Sequence, residues 1–120
     1  MKTAIKPMYG QLQTRSWNGT PIPRRTTDGY VDATAMCKAN EKQWNDYFRT
    51  DRATQYLEAL SVETGIPFSN LCFRTRGGAY QGTWVHPRVA VDLARWISAP
   101  FAVWMDGWFL EQVSQVRDTQ

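Results

Sequence analysis

Residues 71–97 read LCFRTRGGAYQGTWVHPRVAVDLARWI, and a change of period inside this stretch decides the fold class. Leu71, Cys72 and Phe73 begin a strand and residues 82–85 return it. The Gly77-Gly78 turn region between them makes residues 71–85 a β-hairpin with a loose tip. Pro87 suits the first position of a helix, where its missing amide costs nothing. Val89, Leu93, Trp96 and Ile97 then recur at helical spacing up to a break at Pro100. The last helix carries Phe101, Trp104, Met105, Trp108, Phe109 and Val113 on one face for more than three turns. That face either closes the core or forms the interface of a homodimer.

Upstream, Gly65 ends and Pro67 forbids the continuation of a helix from Ala53 whose buried face is Tyr56, Leu57 and Leu60. Asp32 is a good N-cap for a short helix over residues 33–39, because its carboxylate can accept from unpaired first-turn amides. Polar residues 40–43 interrupt, and a second helical piece starts near Trp44. Asn18-Gly19 and Asp28-Gly29 are turn pairs whose central residues both take positive φ. Pro21 and Pro23, which cannot donate to a ladder, mark an edge strand or an extended loop. Residues 8–17 and 20–31 are read as short strands. Segregated elements without a βαβ rhythm give an α+β fold: a small antiparallel sheet, a helix-turn-helix-like helical core and a β-hairpin wing. With 120 residues, 42% of them hydrophobic, and six Trp, five Tyr and five Phe, the chain builds one core and is not a disordered segment.

Fourteen Lys and Arg against eleven Asp and Glu give a net charge of +3, unevenly spread. Residues 1–27 carry five basic groups (Lys2, Lys6, Arg15, Arg24, Arg25) and no acid; residues 64–91 carry three (Arg74, Arg76, Arg88) and no acid. Such segregation suggests a polyanion-facing surface. Two cysteines without paired spacing and a single histidine argue against a structural metal and for free thiols. No apolar run is long enough for a membrane span and the N-terminus lacks a signal core, so the expected location is cytoplasmic.

Two clusters are candidates for recognition. Lys38, Lys42, Gln43, Asn45, Arg49 and Arg52 surround the break between the short helices. Gln and Asn can pair bidentately with adenine, and Lys and Arg reach guanine or phosphate. A continuous helix would put Asn45, Arg49 and Arg52 on one face, although Glu41, Asp46 and Asp51 interleave as on any solvated face. The hairpin tip supplies Arg74, Arg76, Tyr80 and Gln81; the two arginines alternate onto one side of a strand, and the glycines let backbone approach phosphate. Catalytic sets are thin: Cys37 with His86 would have to meet in space, and Asp46 and Asp51 lie on different sides of a helix. No cofactor, metal or small-molecule substrate is expected, and no enzymatic activity.

The runs DGYVDATAMCKAN (28–40), WNDYFR (44–49), YLEALSVETGIP (56–67) and GTWVHPRVAVDLARWISAPFAVWMDGWF (82–109) together resemble the KilA-N domain of phage, bacterial and large DNA virus proteins, itself similar to the fungal APSES domain. The resemblance implies a DNA-binding domain over residues 28–113, preceded by a basic extension with strands (1–27) and followed by a tail (114–120). It makes the helix from Ala33, the helix from Trp44 and the tip 74–81 the DNA-facing surface. Trp84, Val85, His86, Pro87, Trp96 and Phe101 become structural motif residues. Asp32 stands where the family commonly has Asn, and a carboxylate there suits capping rather than phosphate contact. The expected partner is double-stranded DNA, in transcription control of a phage-like or mobile element, with a nucleoid association in a bacterial or phage setting. The alternative is an antirepressor-type protein-interaction module that uses an aromatic surface.

Overall fold

In the computed structural model, which describes residues 11–77 and 81–118 and only the backbone of residues 112–118, the chain opens with a hairpin. Asn18 and Gly19 take φ of 53° and 79°, as a two-residue hairpin turn requires, and join β1 (Leu12–Trp17) to β2 (Thr20–Arg25). The Asp28-Gly29 pair behaves differently. Only Gly29 is left-handed, and a five-residue connection, in which Asp28 accepts from the Tyr30 amide and pairs with Arg25, leads to β3 (Val31–Asp32). The strand read over residues 20–31 is therefore two strands.

The sheet is antiparallel in the order β1-β2-β3-β5-β4, where β4 is Cys72–Thr75 and β5 is Gly82–Val85. Strand β2 thus lies inside the sheet rather than at its edge, and its prolines spare the β1 side of the ladder. The Arg25 amide donates to the Tyr30 carbonyl on the β3 side, so alternate positions Pro21 and Pro23 turn toward that same side. There β3 covers β2 only at Arg24, paired with Val31. The missing donors therefore face away from β1 and leave the β1–β2 ladder intact.

Six helices among the described residues complete an α+β fold: α1 (Ala33–Lys38), α2 (Trp44–Phe48), α3 (Asp51–Thr64), α4 (Phe68–Leu71), α5 (Pro87–Ile97) and α6 (Ala99–Asp118). Asp32 caps α1 by accepting from the Ala35 amide at 3.1 Å, Thr50 caps α3 in the same manner, and Gly65 ends α3 with φ 76°. Leu71, read as the first residue of a strand, instead closes the one-turn α4, and the strand starts at Cys72. Pro87 opens α5 as expected, with the His86 ring nitrogen Nδ1 accepting from the Arg88 amide at 3.0 Å.

Val89, Leu93 and Ile97 of α5 and Phe101, Met105 and Trp108 of α6 are buried together with Ile22, Val31, Met36, Tyr47 and Leu57 in one core. The α6 face therefore closes the core of the monomer; Val113 lies outside the described side chains. Trp84 and Trp108 are buried, and Trp17, Trp44, Trp96 and Trp104 pack against the core, so all six tryptophans are structural.

One close approach fixes the sheet to the helices. Gly82 has φ 143°, and a Cβ there would meet Oδ1 of Asp32 at 2.9 Å. Gly82→Ala is expected to lower the free energy of unfolding by about 1–3 kcal/mol, from strain and the clash together. In urea denaturation, combining it with Asp32→Ala should cost less than the sum of the single changes, because removing the carboxylate removes the clash. Strict additivity would show that the contact is not the cause.

Candidate nucleic-acid interface

The turn between α1 and α2 is held from both ends. The Ala39 and Asn40 amides donate to Ala35 and Cys37, and the Lys42 amide returns to the Cys37 carbonyl at 2.8 Å, which brings the chain back over the end of α1. The side chains of the β1–β2 tip tie the turn down. Trp17 Nε1 donates to Asn40 Oδ1 at 3.0 Å, Asn18 Nδ2 donates to the Ala39 carbonyl at 3.2 Å, and Asn40 Nδ2 donates to the Met36 carbonyl at 2.9 Å. These bonds set residues 38–45 on the packed sheet rather than on a free loop, which is how a recognition surface is pre-organised.

The β4–β5 hairpin reaches the same place through Thr34. Its Oγ1 accepts from the Thr83 amide at 3.1 Å, joining the first turn of α1 to β5. Arg74, opposite Thr83 in the ladder, consequently faces the α1–α2 turn across an open groove of about 530 Å³. Lys38, Lys42, Gln43 and Asn45 line it with Arg74, and so do Thr34, Cys37, Glu41 and Trp44. A second concavity of about 450 Å³ shares Thr34 and Arg74 and continues past Arg76 and Gln81. Lys38, Lys42, Gln43 and Asn45 of the first cluster and Arg74, Arg76 and Gln81 of the second, some thirty residues apart in sequence, thus form one surface.

Within that surface the polar groups are left available. Gln43 occupies the N-cap position of α2 without making a capping bond, and Asn45, Arg74, Arg76 and Gln81 are exposed. Lys42 sets its ammonium over the Trp96 ring, 5.4 Å from the centroid, which fixes the charge while leaving it accessible. The arrangement offers cations, two amide side chains able to read base edges, and glycine-flanked backbone, the set that separates phosphate positioning from base readout.

Other candidates lie elsewhere. The helix that would align Asn45, Arg49 and Arg52 does not form: α2 ends at Phe48, Arg49 is its C-cap and α3 begins at Asp51. Arg49 pairs with Asp46 at 3.1 Å. Arg52 turns away to Asp92 of α5, with Nη2 at 2.9 Å and Nε at 3.3 Å. Asp92 is 6% exposed and also accepts from the Tyr47 hydroxyl at 2.6 Å, so the three residues lock α2 and α3 onto α5. Burial, and then the neighbouring carboxylate, raise the Tyr47 hydroxyl above its ordinary range, so it stays a donor. Tyr80 lies outside the described residues.

The basic N-terminal segment is also spent internally. Arg15 pairs with Glu111, Arg25 pairs with Asp28, and Arg24 lies over the Phe109 ring at 4.3 Å from its centroid. Their charges fasten the first hairpin to α6 and to its own loop, and Lys2 and Lys6 are outside the described residues. The polyanion-facing reading of this segment is thereby corrected for the three arginines. Sequence reasoning also missed Thr34, Glu41 and Trp44 as groove residues. Thr34 carries a signal, being a polar residue in the first turn of α1, two positions after the cap; Glu41 reads in the sequence as ordinary surface charge.

The nucleophile reading finds little support in the same geometry. Burial raises the Cys37 thiol to about 12, which removes the thiolate, and His86 is engaged as the cap of α5. Among the described residues no His, Cys, Asp and Glu set is grouped to hold a metal ion, and no helix is long and apolar enough to cross a membrane.

The chain belongs to the KilA-N domain family, whose model matches residues 16–115, from within β1 to within α6. The family is generally associated with DNA binding. Among its relatives are two KilA-N domain-containing proteins of Acanthamoeba polyphaga mimivirus. L32 is 31% identical over 72 residues, covering 58% of this chain and 19% of that protein, and L37 is 29% identical over 82 residues, covering 62% and 17%. The chain thus spans under a fifth of the length of these curated relatives. No solved structure matches it.

The Tyr47–Asp92–Arg52 cluster yields a direct test of what supports the groove. Asp92→Ala should lower the unfolding free energy by about 2–3 kcal/mol, since it strands a buried hydroxyl and frees Arg52. Tyr47→Phe, which leaves the Arg52–Asp92 pair, should cost about 1 kcal/mol. Chemical denaturation measures both, and equal losses would show that the ion pair contributes nothing.

Proposed function

We propose that this domain binds double-stranded DNA through the groove between the α1–α2 turn and the β4–β5 hairpin. The observation that carries the reading is the convergence of Lys38, Lys42, Gln43, Asn45 and Arg74 on one groove, continued by Arg76 and Gln81. In this reading α1 and α2 act as a helix-turn-helix-like unit whose Gln43 and Asn45 read base edges in the major groove. The hairpin is the wing: Arg74 and Arg76 neutralise phosphates. Arg49, paired with the exposed Asp46, is a peripheral phosphate contact, whereas Arg52 acts by holding α3 to Asp92. The domain binds without catalysis, cofactor or metal, and its role is transcription control, in keeping with the viral setting of its relatives.

An antirepressor-type interaction module would need a spare aromatic surface. Trp84 and Trp108 are buried and the other four tryptophans pack, partly buried, against the core, which weakens that motive.

Fluorescence anisotropy of a random-sequence duplex at several salt concentrations tests the reading. Non-specific binding of about 10⁻⁴ to 10⁻⁶ M is expected, with a log–log salt slope of about −0.9 for each phosphate neutralised. Arg74→Ala and Arg76→Ala should weaken binding on every sequence and reduce the slope by about 0.9 each. Slopes identical to the unchanged protein would remove the hairpin from the interface.

A further inference from the structure

Glu41 is a residue that local stability does not explain. It sits at the turn after α1 with φ 57°, the left-handed conformation in which glycine or asparagine is favoured and a longer side chain is disfavoured. Its amide donates to the Lys38 carbonyl at 3.2 Å, so the backbone there is part of the helix ending and not a free loop. Lys38, Lys42 and Arg74 line the same groove, yet the Glu41 carboxylate makes no ion pair with a described residue. It also borders the neighbouring concavity lined by Asn18, Thr20 and Asn40. A carboxylate at this position lowers the positive potential just where phosphate attraction would be strongest, and its backbone is unfavourable as well. Departures from local rules of this kind concentrate at functional positions.

We propose that Glu41 is a specificity-determining residue that accepts a hydrogen bond from the exocyclic amino group of a cytosine in the major groove. The inference rests on the DNA-binding reading of the groove. A carboxylate is acceptor-only, and the cytosine N4 amine is the base-edge donor that suits it, as amide side chains suit adenine and cations suit guanine. Gln43 and Asn45, two and four residues further on, supply the complementary amide chemistry on the same groove. Glu41 further acts by repulsion: facing a phosphate or a guanine edge it has no partner, so wrong registers are penalised along with wrong bases.

The test is selection of bound duplexes from a randomised pool by the unchanged protein, Glu41→Gly and Glu41→Gln, followed by affinities on the selected and substituted sites. The glycine variant relieves the left-handed backbone, so folding is not at risk and its melting temperature should not fall. The unchanged protein is expected to select a site with one cytosine position at which substitution costs about tenfold. Glu41→Gly should lose that preference and bind random duplex about two- to fivefold more tightly, having shed a repulsive charge. Glu41→Gln should move the preference toward adenine, the base that a glutamine amide pairs with bidentately. DNA binding by the unchanged protein with the same base preference in both variants overturns the role of Glu41 and leaves the DNA-binding reading standing. Absence of DNA binding by the unchanged protein overturns both.

Discussion

The structure depends on the junction at Asp32. Strand β3 is only Val31 and Asp32, yet it alone joins the N-terminal hairpin to the β4–β5 hairpin, pairing Val31 with both Arg24 and Val85 and Asp32 with Trp84. The same aspartate then starts α1 by capping it, and Gly82 passes so close to its carboxylate that a Cβ there would force one of them to shift. Burial raises the Asp32 carboxyl while the first-turn amides of Thr34 and Ala35 pull it down, the balance expected of a cap enclosed by a sheet. Two residues on, Thr34 takes the Thr83 amide. Helix α1 and strand β5 are thus set against each other within three residues of chain. The facing of Lys38 and Arg74 across a groove follows from that.

Much of this was legible from local chemistry. Asn18-Gly19, the Asp32 cap, Gly65 and Pro87 each act through their own φ, donor or acceptor, and each does in the fold what its residue type dictates, whereas the break expected at Pro100 falls at Ser98 and Pro100 sits in the first turn of α6. The apolar stripes of α5 and α6 were equally readable, because burial follows helical period. Sequence could not decide whether the α6 stripe faces its own core or a partner; the contact of Phe101 and Trp104 with Trp17, far away in the chain, decides it. Strand β2 misled because both prolines turn their missing donors away from β1, a matter of register that residue type alone does not show.

Charge was the least legible property. A count of cations treats Arg15, Arg24, Arg25, Arg52 and Arg74 alike, but only tertiary structure says which meet a carboxylate or a ring. Four of these five are engaged by Glu111, Phe109, Asp28 and Asp92. Arg74 is the one left facing a groove. The reverse holds for Glu41, whose negative charge reads in sequence as part of an ordinary solvated face and lines the groove with Lys38, Lys42 and Arg74. Local rules locate elements, whereas pairing across the fold decides which charges remain to meet a ligand.

The account therefore makes the groove, and not the total basic charge, the seat of binding. Chemical-shift mapping of the isotope-labelled domain titrated with a DNA duplex examines this most directly. The account predicts that amide shifts cluster at residues 38–45, 74–77 and 81–82, with β1, β2 and α6 nearly silent. Shifts concentrated on Arg15, Arg24 and the outer face of α6, with the groove unchanged, would contradict it.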